Sequence, residues 1–230
     1  MIRIEPISES PTIVIDRTPR HHEQADAIES AWQALCAQNP RYFNGPMLAF
    51  DSYDPATGVI RASVEAYKNH AVRDTVDVGI CLLATTAIIT APDEHGKSRY
   101  LLGQRSPSTH RYGNCWELGP SGGVDVPTDE TDQLEFDAID EELKREIAEE
   151  VGIKVRGLGS GTPVALVHDD SAGSVDIAIQ IELPTMPALD RSWEYVDCRW
   201  VTFAELLAWA SKHPEELIPT TIALALRLNT

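Results

Sequence analysis

The chain is short of positive charge: 19 Lys and Arg stand against 36 Asp and Glu in 230 residues, a formal net charge of −17 at pH 7. No Lys/Arg cluster offsets that deficit locally. A nucleic-acid surface is therefore not expected, because phosphate backbones are bound through Lys and Arg. Cysteine is scarce as well. Cys36, Cys81, Cys115 and Cys198 are scattered without a C-x-x-C pair, so neither a zinc site nor a disulfide framework is suggested. Reduced thiols in a cytoplasm are the expectation. Long apolar runs are missing too. The longest, residues 78–90, is too short and too rich in threonine for a membrane span and reads as one or two buried strands. The first residues, Met1-Ile2-Arg3-Ile4-Glu5-Pro6, lack the shape of a signal peptide. Internal repeats are absent.

What remains is an ordinary globular composition, 43% hydrophobic, long enough to bury a full core. Residues 1–75 read as a smaller N-terminal α+β extension, with strands near 13–15 and 59–67 and a helix over 22–37. A turn-rich connector lies between them, Asn39-Pro40-Arg41-Tyr42-Phe43-Asn44-Gly45-Pro46. Residues 76–230 alternate strands and helices. Strands are predicted over 78–89, 100–104, 115–118, 164–168, 175–183 and 195–201, the fifth showing the clearest period of two. Helices are predicted over 203–212 and 215–228.

The most informative stretch is Arg145-Glu146-Ile147-Ala148-Glu149-Glu150-Val151-Gly152-Ile153. At helical spacing Phe136, Ile139, Leu143, Ile147 and Val151 form an apolar stripe, and Gly152 is placed to end the helix in a left-handed turn. Glu146, Glu149 and Glu150 share the other side, with Glu142 one turn earlier. Like charges at that spacing cost roughly 0.2–0.5 kcal/mol per pair. Acids in a last turn also meet the negative end of the helix dipole, at roughly 0.3–1 kcal/mol each. A solvated acidic face is the bland reading. A bound divalent cation would reverse both penalties, since hard carboxylate oxygens suit Mg²⁺ and Mn²⁺.

This stretch resembles the second half of the Nudix box, G-x5-E-x7-R-E-U-x-E-E-x-G-U with U apolar. Seven fixed positions match: Arg145, Glu146, Ile147, Glu149, Glu150, Gly152 and Ile153. Trp116-Glu117-Leu118 with Pro120-Ser121-Gly122-Gly123 resembles the strand and turn that precede the box, and Tyr100-Leu101-Leu102-Gly103-Gln104-Arg105 resembles an upstream family strand. The first half departs. Counting back from Arg145, the lone family Glu falls on Asp137 and its Gly on Thr131, while the Gly122-Gly123 pair lies eight residues early. Residues 124–132 read as a loop insertion, and Asp137, Glu135 and Glu130 are the candidates for the missing Glu. An interrupted box of this kind, together with the 39–46 segment and a strand ending Tyr67-Lys68, is similar to the branch that hydrolyses UDP-sugars.

The resemblance, which covers about 76–230, implies an α/β/α sandwich with a mixed sheet. It implies Mg²⁺-dependent hydrolysis, with Mn²⁺ as a substitute, of a small nucleoside diphosphate compound such as UDP-glucose, giving UMP and glucose 1-phosphate. Glu146, Glu149, Glu150 and the carbonyl of Gly123 are then the metal ligands, and Glu146, Glu149 and Arg145 the catalytic group, Arg145 chiefly fixing the glutamates. Tyr67, Lys68 and Arg105 are implied substrate contacts. The general base stays open among the box glutamates, Asp169, Asp170 and Glu194. An isomerase or hydrolase of another diphosphate and a non-catalytic binding domain are the alternatives. A homodimer is compatible with the family; the sequence itself sets no oligomeric state.

Overall fold

The computed structural model describes residues 1–7, 10–129 and 131–228. Along the chain run β1 (Ile2–Pro6), β2 (Thr12–Asp16), α1 (Ala25–Gln38), β3 (Pro46–Asp54), β4 (Val59–Ala66) and α2 (Tyr67–Ala71). Next come β5 (Leu82–Pro92), β6 (Ser98–Arg105), β7 (Trp116–Leu118), β8 (Ser121–Gly123), β9 (Gln133–Leu134) and α3 (Phe136–Val151). The chain continues through β10 (Thr162–Asp169), β11 (Ser174–Glu182), β12 (Tyr195–Thr202), α4 (Phe203–Lys212) and α5 (Pro219–Leu228).

The apolar run of the sequence becomes β5, nearly all of it buried. Strands buried on both faces lose the alternating pattern of half-exposed ones, which is why this run reads as continuous. It starts at Leu82 rather than 78, after Gly79 takes a positive φ of 76°. β11 pairs with it in parallel over nine residues, Ser174↔Leu82 to Glu182↔Thr90, and β10 joins β11 antiparallel. β6, β7 and β12 form a branch from the far end of β5, and β8 pairs antiparallel with its middle.

Two apolar layers flank this mixed sheet. On one face α3 lays down Phe136, Ile139, Leu143, Ile147 and Val151, all within 8% exposure, against Leu83, Ala87 and Ile89. Burial of each such side chain stabilises by about 1.5–3 kcal/mol. On the other face α4 and α5 pack Leu206, Ala210, Leu224 and Ala225 against Ile88, Leu102 and Leu118. The result is the expected α/β/α layering. α4 opens with a capping box, the Thr202 hydroxyl accepting from the Glu205 amide while Glu205 accepts from the Thr202 amide. α5 starts at Pro219 rather than 215, because a 3-10 turn at Pro214–Glu216 separates it from α4.

The N-terminal section is not a sheet of its own. β1 adds to the edge at β10, and β3, β4 and β2 continue the central sheet beyond β5. β1 and β3 escape a sequence reading: β1 is short, and the second half of β3 is too polar to alternate. No described helix is long and apolar enough to cross a membrane.

Candidate active site

α3 ends where its sequence says it should, with Gly152 in the left-handed region at φ 73°. Its last turn has no basic residue. Glu146, half-buried, faces β8: a Cβ built on Gly122 would lie 3.8 Å from Glu146 Oε2, an ordinary contact distance that places the carboxylate against this strand. Arg145 Nη2 donates to Asp125 at 3.0 Å and lies 3.7 Å from Glu146, a bridge between the helix and the turn after β8. Glu142 accepts from the Asp125 amide at 2.6 Å, and burial lifts its carboxyl to about 7.

Glu150 is buried beneath this group. Burial, then the charges of Glu194, Glu117 and Glu146, push its carboxyl up to about 9. Glu194 arrives on the loop before β12. That loop is tied to the helix end by the Asp190 amide on the Val151 carbonyl at 3.0 Å and the Ser192 amide on the Glu150 carbonyl at 2.8 Å. Glu149 stays exposed.

Behind the glutamates lies a saturated buried network. Glu117, on the three-residue β7, accepts at Oε1 from Arg105 Nη1 and the Tyr195 hydroxyl, both at 2.7 Å, and at Oε2 from the Ser121 hydroxyl at 3.0 Å. A cavity of about 230 Å³ opens beside it, between Gly122, Gly123 and the ends of β10 and β11. Tyr67, Tyr112 and Arg105 wall this cavity, and Asp176 lies on its β11 side. The 39–46 segment buttresses one wall. The Tyr42 hydroxyl bonds His110 Nδ1 at 2.5 Å, and the Gly45 carbonyl accepts from the Tyr67 amide at 2.9 Å.

No protein-family model and no curated protein matches the chain. Solved structures do. One, Tm1382, which carries the name of a Nudix hydrolase, superposes with a TM-score of 0.50 at 14% identity, over 86% of this chain and 94% of that one. The MutT protein from Methanosarcina mazei Go1 gives 0.47 at 25% identity, over 64% and 92% of the two chains. RenU, a Nudix hydrolase from M. smegmatis, gives 0.46 at 21%, over 64% and 82%. The fold is a Nudix fold.

Within that fold the residues singled out from sequence fall into three groups. Arg145, Glu146, Glu150 and Gly123, with Glu194, gather where α3 meets β8 and the loop before β12; Glu149 shares the helix end but faces solvent. Tyr67 and Arg105 line the adjoining cavity. Lys68 does not: its Nζ bonds Glu29 at 2.8 Å, because the α2 turn points it at α1. Of the other base candidates, Asp169 is buried on the cavity and accepts from the Tyr112 hydroxyl at 2.7 Å, whereas Asp170 is exposed and pairs with the Met1 amino group at 3.4 Å.

The two described stand-ins for the first-half Glu stay apart from this cluster. Asp137 is exposed in the first turn of α3, nine residues and about 13 Å of helix rise before Glu146. Glu135 accepts from the Thr12 hydroxyl at 3.1 Å, and Glu130 lies outside the described residues. Glu142 is the carboxylate that joins the group.

Glu117 was invisible as a site residue in the sequence. Its one signal is an acid between Trp116 and Leu118 on a strand whose three residues are all buried. The donor set fits a hard cation in kind, all carboxylate oxygen in surroundings where buried like charges lack a counter-ion. It is not a tight cage. Among the described residues, the one set of three ligand-type side chains with atoms mutually within 4.8 Å is the exposed trio His213, Glu215 and Glu216.

Proposed function

We propose that this protein is a divalent-metal-dependent Nudix pyrophosphohydrolase that cleaves the diphosphate of a nucleoside diphosphate compound, with UDP-glucose or a related UDP-sugar as its substrate. The carrying observation is the approach of Glu146 to Gly122 of β8, with Glu150 buried and Glu194 half-buried behind it. That the box-like stretch lies on α3 and faces β8 supports this reading. The UDP-sugar reading rests on the interrupted box and the 39–46 segment, which braces the cavity wall.

Glu146, Glu149 and Glu150, with the Gly123 carbonyl, would hold the metal. When bound, Mg²⁺ or Mn²⁺ neutralises the charge of the diphosphate and supplies a reactive water. The rest is the work of the chain. Arg145, held by Asp125, keeps Glu146 aimed at β8. Glu117, saturated by Arg105, Tyr195 and Ser121, fixes the Arg105 guanidinium at the cavity mouth, where it can orient a phosphate oxygen. Glu194, raised by burial, is poised to take a proton beside Glu150.

The test is product chromatography after incubation with Mg²⁺ and a panel of nucleoside diphosphate compounds. UMP and glucose 1-phosphate are expected from UDP-glucose, lost with EDTA. In Glu149→Gln/Glu150→Gln, kcat should fall by at least about 10²-fold. Retained turnover in that double variant would remove these residues from the site.

A further inference from the structure

Among the described residues, eight buried side-chain polar atoms have no partner in the protein, and five belong to residues lining one cavity, the one beside Gly122 and Glu117. They are His70 Nδ1, His110 Nε2, Arg111 Nε, Asp176 Oδ1 and Thr220 Oγ1. Asp176, His70 and Thr220 are each more than nine-tenths buried. A buried polar atom left unpaired costs about 1–3 kcal/mol, so such a concentration marks a place built to be completed by something polar.

Charge narrows what that is. The two guanidinium groups at the cavity are already engaged, Arg105 with Glu117 at 2.7 Å and Arg111 with Asp74 at 2.9 Å. Three carboxylates, Glu117, Asp169 and Asp176, also face it. Burial holds both imidazoles below their ordinary pKa, so they are neutral near pH 7. A phosphate entering here would meet three acids, opposed by two guanidinium groups that each already carry a carboxylate partner. A hydroxyl meets no such penalty, because it donates to an acceptor such as Asp176 Oδ1 and accepts from a donor such as Arg111 Nε. Thr86 has already taken the other Asp176 oxygen, at 2.9 Å, which fixes the free one in place. Tyr67 and Tyr112 offer ring surface to the apolar side of a flat polyol.

We propose that this cavity receives an uncharged, hydroxyl-bearing ring of the substrate, a sugar, whose hydroxyls complete Asp176, His70 and Arg111. This rests on the pyrophosphohydrolase reading and deepens it: the diphosphate lies at Glu146 and Gly122, and one of its two sugar rings turns into the pocket behind. Both the ribose and the glycosyl group of a nucleotide-sugar have this chemistry.

Three substrates separate them on the unaltered enzyme: UDP-glucose, its 2′-deoxyribose analogue, and the methyl ester of UDP, which has no glycosyl ring. The compound missing the pocketed hydroxyls should lose about ten- to a hundred-fold in kcat/KM, the other little. Asp176→Asn should lose a similar factor on UDP-glucose and lose no more on the depleted compound, because the interaction is already gone. Equal kcat/KM on all three substrates, or a uniform loss across them in Asp176→Asn, would overturn the pocket assignment and leave the diphosphate reading standing. No turnover of any diphosphate compound with Mg²⁺ or Mn²⁺ would overturn that reading itself, and the pocket proposal with it.

Discussion

Gly152→Ala tests how the helix end builds the site. Two costs apply. Gly152 sits at φ 73°, where a side chain costs about 1–2 kcal/mol. An added Cβ would also lie 2.7 Å from Asp190 Cβ, 2.9 Å from its carbonyl oxygen and 3.0 Å from its amide nitrogen. Two of those atoms are backbone, so the loop itself must shift, at about 1–3 kcal/mol more. Gly96→Ala is the control: it has the same φ of 73° and nothing within 4 Å of the added carbon. The two variants should therefore differ by about 1–3 kcal/mol. With a urea slope of roughly 2 kcal/mol/M, that is a midpoint difference of about 0.5–1.5 M in equilibrium unfolding followed by circular dichroism. The shifted loop carries Glu194, so Gly152→Ala should also lose kcat while Gly96→Ala keeps it. Equal midpoints for the two variants would refute the claim that Asp190 is packed on the helix end.

Two further outcomes follow from the same reasoning. Burial, with smaller contributions from Arg73, His110 and Arg111, lowers the His70 pKa to about 4 from an ordinary 6.5. Between those values the unfolded chain binds more protons than the folded one, so stability falls as pH drops from 6.5 through 4, by up to about 3 kcal/mol. His70→Gln should lack that contribution, and parallel stability curves for the two proteins from pH 7 to 4 would contradict it. Arg17→Ala removes the donors to Asp132 Oδ1 at 3.2 Å and to the Pro127 and Thr131 carbonyls at 3.1 and 2.9 Å. The 124–132 segment should then be cut first and faster in limited proteolysis; an unchanged cleavage pattern would mean that Arg17 does not hold it.

Legibility in the sequence followed locality. The α3 stripe and its glycine stop are read off neighbouring residues, because helix periodicity and the left-handed turn that ends a helix are short-range effects. The strands 78–89, 175–183 and 195–201 emerged with small shifts at their ends, where turn glycines and prolines decide the boundary. What stayed hidden is non-local. Nothing near Glu117 in sequence announces that Arg105 and Tyr195 will saturate it, from 12 and 78 residues away. The five unpaired atoms of the cavity likewise come from α2, the loop after β6, β11 and α5. Lys68 misled for the same reason, since its partner Glu29 lies on a helix 39 residues earlier.

The broken first half of the box and the N-terminal section are one structural fact. Residues 124–132 separate Gly123 from α3, and a free loop of that length would leave the helix start unanchored against β8. Instead the segment is pinned to the N-terminal section. The Ile15 amide donates to the Asp132 carbonyl at 2.8 Å, Arg17 holds three oxygens of the segment, and β9 pairs with β2 through Ile13↔Leu134 and Val14↔Gln133. β9 leads through Glu135 into Phe136, so the edge strand β2 fixes where α3 begins. A carboxylate at Asp137 is then too early to reach the glutamates, and Glu142, closer by more than a turn, takes the Asp125 amide instead. The N-terminal section thus shapes the candidate site twice, setting the start of α3 through β2 and bracing the cavity wall through Tyr42 and Gly45.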